Sequence, residues 1–129
     1  MKVLRIFWLI LVTNLLPNPL GASVTVNEVV DQWGRLYFCE HHIFSIETLE
    51  RRRQIYQSDY QELNEALAFV ESYSLSKYGA DQTKKMLTQA NIQGYFSNWG
   101  NKKVTELDDD ETIEALNWCR DLIQTVIAP

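Results

Sequence analysis

The stretch IETLERRRQIYQSDYQELNEALAFVESYSLSKYG, residues 46–79, decides the fold class. Its apolar residues recur as Ile46, Leu49, Tyr56, Tyr60, Leu63, Leu67 and Val70, in steps of three and four with one step of seven that spans Arg53. Such spacing lays a single apolar stripe along an α-helix, whereas a half-buried strand would alternate. Ala66, Phe69 and Tyr73 widen the stripe at its C-terminal end, and Tyr78 meets Gly79, a helix stop. Ser45 is an N-cap candidate, with Glu47 and Glu50 in the following turns, where negative charge suits the helix dipole. The pattern predicts one long helix over 46–78; the alternative is that Ser58 caps a second helix after a kink.

The same periodicity extends in both directions. Upstream, Thr25 and Glu28 fit a capping box, and Val26, Val29 or Val30, Trp33, Leu36, Tyr37 and Phe38 follow at helical spacings, giving a helix over about 27–41. Gly34 inside it costs about 1 kcal/mol relative to alanine, a cost that a close helix crossing accounts for. Downstream, Asp81 caps a helix with Met86, Leu87, Ala90, Tyr95 and Phe96 that runs to Trp99–Gly100, with Gly94 weakening it. Residues 101–107 read as a loop. Asp108, Asp109 and Asp110 then open a last helix whose buried side is marked by Ile113, Leu116, Cys119, Ile123 and Val126. No alternating run argues for a sheet. The expected fold is all-α: one small bundle of four or five helices.

Residues 1–22, MKVLRIFWLILVTNLLPNPLGA, read as a cleaved export signal. Lys2 and Arg5 form a positive n-region, Ile6 to Leu16 an apolar core, and Gly21, Ala22 and Ser23 a peptidase site, with cleavage after Ala22 or Ser23. The apolar core is well short of the roughly 20 residues that cross a bilayer, so no stable membrane anchor is expected after cleavage. The mature domain, 23–129, is expected in the periplasm or outside the cell. There Cys39 and Cys119, the two cysteines of the chain, default to a disulfide tying the first helix to the last.

Losing Lys2 and Arg5 leaves 10 basic and 17 acidic side chains, so the formal charge moves from −5 to −7. Such a field repels nucleic acid and anionic membrane surfaces and suits a basic protein partner. The cluster Cys39-Glu40-His41-His42 is the most reactive in composition. Adjacent histidines on an α-helix point about 100 degrees apart, and an oxidised Cys39 is lost as a ligand, so the cluster reads as a helix C-terminus where imidazoles meet free carbonyls. Asp108 to Asp110 lack the spacing of a calcium loop. No nucleophile motif occurs, and no catalytic residue, metal ligand or cofactor is assigned.

Two features point to binding. Arg51, Arg52 and Arg53 form the basic run of an acidic chain, and arginine serves interfaces well. The aromatic residues outnumber what a thin core buries easily, so some should line an interface; Tyr56 and Tyr60 are the ones expected to be half-exposed. Arg51, Arg52, Arg53, Tyr56 and Tyr60 are therefore the candidate partner-binding residues. The expected function is a non-enzymatic binding protein of the cell envelope, in an inhibitor, immunity-type or chaperone role. The alternatives are a small, metal-dependent or other enzyme built on Glu40-His41-His42, and a structural subunit of a secretion apparatus.

Overall fold

Thr25 opens the described chain as a true cap. Its hydroxyl accepts from the Glu28 N–H at 3.2 Å, and the Glu28 carboxylate accepts from the Thr25 N–H at 2.8 Å. The helix that follows, α1, spans Val26–Phe38. The computed structural model describes residues 24–128, the side chain of Leu49 excepted, so the export signal read at 1–22 lies outside the described residues. Further on come α2, Leu49–Arg52, α3, Gln57–Tyr95, and α4, Asp109–Ile127. Asp108 and Glu111 cap α4 with the same reciprocal pair of hydrogen bonds, at 2.8 and 3.1 Å. The all-α reading holds: among the described residues there is no strand beyond one isolated bridge between Trp99 and Lys102.

The 39 residues of α3 are two helical arms joined at Gly79, whose φ of 83° and ψ of 171° place it where glycine alone is at ease. The chain reverses there. The Ser74 and Thr83 hydroxyls lie 2.8 Å apart, whereas nine residues along a straight helix span about 13 Å. Ala66, Val70 and Ser74 on the arm 57–78 and Met86, Ala90 and Gly94 on the arm 80–95 recur in matching steps of four, and all six are buried. With α1 and α4, the two arms make a four-helix bundle around Trp33, Leu36, Ile43, Leu63, Val70, Leu116 and Ile123.

Cys39 and Cys119 are fully buried and joined, with Cα atoms 5.9 Å apart, and tie the end of α1 to α4. Such a bond fits an oxidising, non-cytoplasmic compartment. Among the described residues no helix is long and apolar enough to cross a membrane.

The long helix over 46–78 is corrected: it breaks between Arg52 and Gln57. The Asp59 carboxylate causes the break by reaching back to the Tyr56 N–H at 2.8 Å, while Arg120 of α4 clamps that carboxylate at 3.0 and 2.9 Å and also donates to the Gln54 carbonyl. Ser45 does not cap a helix start; its hydroxyl donates to the His41 carbonyl. The arm 80–95 stops at Tyr95, short of Trp99, because Trp99 turns to meet Trp118 edge-on at 5.7 Å. Ile113 is 38% exposed and leaves the buried side of α4 to Thr112 and Ala115.

Candidate functional site

Beyond Phe38 the first helix widens into a single π turn, Cys39–Ile43, closed by the Phe44 N–H donating to the Cys39 carbonyl at 2.8 Å. Turns of this kind concentrate at functional sites. The disulfide fixes its first residue, and the turn brings both histidines against the end of the arm 80–95. His41 Nε2 lies 2.6 Å from Asn91 Oδ1, and His42 Nε2 donates to the Tyr95 carbonyl at 2.6 Å. Both rings thus reach the same neighbouring helix end, although adjacent α-helical positions point about 100 degrees apart. The expected meeting of imidazole and carbonyl is real, but the carbonyl belongs to the neighbouring helix.

The arm can reach this turn because α1 and the arm 80–95 cross in near backbone contact. A Cβ on Gly94 would lie 2.6 Å from the Gly34 carbonyl oxygen, 2.6 Å from Tyr37 Cβ and 2.7 Å from the Phe38 nitrogen. Gly94 is therefore the residue that permits the crossing.

A chain of rings grows from this junction. Trp33, Tyr37 and His41 stack along α1 and the π turn, with centroids 6.4 and 5.9 Å apart. His41 and His42 flank the Tyr95 ring at 5.6 and 6.1 Å, and Tyr95 meets Phe96 at 5.0 Å. On the other side Phe38 links His42 to Trp118, at 5.6 and 6.2 Å. These separations lie within the range in which aromatic pairs attract. The inner end, Trp33, is buried; the outer end is not, with Phe96 75% exposed, Tyr95 58% and Ile92 55%. Burial, together with the Glu40 and Glu71 carboxylates, pushes the Tyr37 hydroxyl above its ordinary value.

The residues singled out from the sequence are spread over several surroundings. Arg51 turns inward, where Nε pairs with Asp109 at 3.1 Å and the guanidinium also donates to the Leu107 carbonyl. Arg52 donates to the Ile46 carbonyl, and Arg53 is exposed. Tyr56 is exposed with its ring under the Arg120 guanidinium at 5.4 Å, and the half-buried Tyr60 donates its hydroxyl to the Phe44 carbonyl at 2.8 Å. The three arginines thus share no common face. Exposed Tyr95 and Phe96 were present in the sequence as part of the aromatic surplus; what placed them outside was the early end of their helix.

A second feature lies on the far side of the π turn. The 46–55 segment and the start of α4 enclose a cleft of about 170 Å³ with Ile43 and Leu116 among its lining residues. Among the described residues no three of His, Cys, Asp or Glu are grouped to hold a metal ion, and Cys39 is engaged in the disulfide. The chemistry on offer at the aromatic end is contact: flat apolar rings, with imidazole and hydroxyl groups as hydrogen-bonding partners. Set against models of protein families, curated proteins and solved structures, the chain matches none of them.

Proposed function

We propose that the chain is an exported, non-catalytic binding domain that works in the periplasm or outside the cell and docks another protein through its aromatic end. The observation that carries this reading is the exposure of Tyr95 and Phe96 on a rigid base. Their helix end is held by the twin histidines, by the Gly94 crossing and, two residues before His41, by the disulfide. Exposed aromatic residues beside one another are costly to leave in water, and interface centres are enriched in them. Held rings also lose little freedom on binding, which favours affinity. The acidic field of the mature chain suits a basic partner and speeds its approach.

The test is photo-cross-linking in the exporting cell, with a benzophenone amino acid in place of Phe96 and, as control, of Lys77 near the Gly79 turn at the opposite end of the hairpin. An adduct with a different protein at position 96, absent at 77 and lost on Tyr95→Ser, is the expected result. No adduct at 96, or equal adducts at both positions, would overturn the proposal. An adduct of twice the chain's mass would instead favour a subunit of an assembly.

A further inference from the structure

The cleft on the far side of the π turn is a distinct feature. Its floor is apolar: Ile43 and Leu116 are buried, and Ile46, Ile55 and Ile113 form its walls. At about 170 Å³ it matches the size at which an apolar cavity of about 150 Å³ takes up a benzene ring. One branched aliphatic side chain, or one ring, fills such a space.

The charge around it has a definite sign. Glu50, Arg51 and Asp109 stand at the lining. The Arg51 guanidinium is spent on Asp109 and on the Leu107 carbonyl, so the Glu50 carboxylate is left without an ion-pair partner among the described residues. The two walls, residues 46–55 and 108–116, together carry seven carboxylates against three guanidiniums, a formal charge of −4. Lys102 lies close by but is held by Glu111 at 2.8 Å. An apolar hole in an acidic surround complements an apolar side chain with cationic neighbours.

We infer that this cleft seats one apolar side chain, of leucine size, from a polypeptide segment in which lysine or arginine flanks it. The apolar side chain supplies affinity by leaving water, while its cationic neighbours meet Glu50 and Asp109 and select against acidic segments. The aromatic end and the cleft lie on different surfaces, so either assignment stands or falls without the other.

The test is an NMR titration of the exported, processed protein, ¹⁵N-labelled, with three acetylated and amidated pentapeptides: Gly-Lys-Leu-Lys-Gly, Gly-Lys-Ser-Lys-Gly and Gly-Glu-Leu-Glu-Gly. The first should move the amide signals of Ile46, Ile55 and Ile113, and the other two should bind at least about tenfold more weakly. Ile113→Lys, at an exposed position, should abolish the shifts while leaving the circular dichroism spectrum unchanged. Glu50→Gln should weaken the first peptide about two- to threefold and should not weaken the third. Equal binding of the Glu-flanked peptide would overturn the inference, as would shifts that survive Ile113→Lys. Shifts confined to Tyr95 and Phe96 would also overturn it, while leaving the aromatic docking surface intact.

Discussion

Gly94→Ala and Gly34→Ala make the same chemical change at one helix crossing and are expected to have opposite effects. In a helix interior each exchange gains about 1 kcal/mol, because alanine loses less chain entropy than glycine. At Gly34 the new methyl would stand 3.4 Å from the Ala90 carbonyl oxygen and 3.4 Å from Gln93 Cβ, contacts that a small shift of Gln93 relieves. Gly34→Ala should therefore lie between neutral and about 1 kcal/mol more stable. At Gly94 the methyl would stand 2.6 to 2.7 Å from three atoms of α1, two of them backbone, and no rotamer can take it away. The helices would have to part by roughly 0.7 Å, with an overpacking penalty of about 3 kcal/mol that outweighs the propensity gain. The expected net loss is about 2 kcal/mol, or a Tm about 10 °C lower in a domain of this size. Urea unfolding, followed by tryptophan fluorescence, measures both changes, and the slope against denaturant should stay constant. A Gly94→Ala protein within about 0.5 kcal/mol of the parent would refute the reasoning, as would a Gly34→Ala protein destabilised as much as Gly94→Ala.

Asp59→Asn removes the carboxylate that Arg120 grips, and urea unfolding at pH 7 should show a loss of about 2 kcal/mol, since Arg120 keeps partial access to water. Burial raises the Asp59 carboxyl pKa, but the hydrogen bonds from Arg120 and the Tyr56 N–H, with the Arg120 charge, outweigh it and hold the carboxyl below its ordinary value. A folded value below the unfolded one, about 3.9, means that this stabilisation is complete above that pH and fades as pH falls through the folded value. The gap between the parent and Asp59→Asn should accordingly narrow as pH falls below the unfolded value, and a gap that stays constant into acid would contradict it. Opening the 80-residue span between Cys39 and Cys119, in a C39A/C119A double variant, should lower stability by up to about 4.5 kcal/mol; intact mass should place the native protein two units below its reduced form. Phe96→Ser, at an exposed ring, should change stability by less than about 0.5 kcal/mol while reducing partner capture.

Much of this bundle is written in local sequence. The Thr25–Glu28 cap, the opening of the last helix at Asp108 and the Gly79 stop each act through neighbours in the chain, and they and the cysteine pair stand where expected. The break at 53–56 does not, because a step of seven is compatible with a continuous helix. The Asp59 carboxylate that accepts from the Tyr56 N–H is itself held by Arg120, 61 residues away, and that part of the signal is not local. The π turn is equally silent in Cys-Glu-His-His-Ile: its register answers to Cys119, Asn91 and Tyr95, which lie on other helices. The aromatic surplus pointed to half-exposed rings, and Tyr56 and Tyr60 are exposed and half-buried as expected, but it did not single out Tyr95 and Phe96. Tyr60 spends its hydroxyl on Phe44, while Tyr95 and Phe96 fall at a helix end that the apolar pattern alone carries on to Trp99.

The covalent link between residues 39 and 119 encloses the whole of α3 within a closed ring of chain. A protease that cuts once anywhere inside that ring opens it but frees no piece, since the two halves remain joined through sulfur. The nicked molecule keeps its mass under non-reducing conditions, plus one water, and both fragments stay at the high effective concentration of a tether. In the oxidising compartment that such a bond fits, a single backbone cut inside the ring therefore leaves the pieces of the bundle joined.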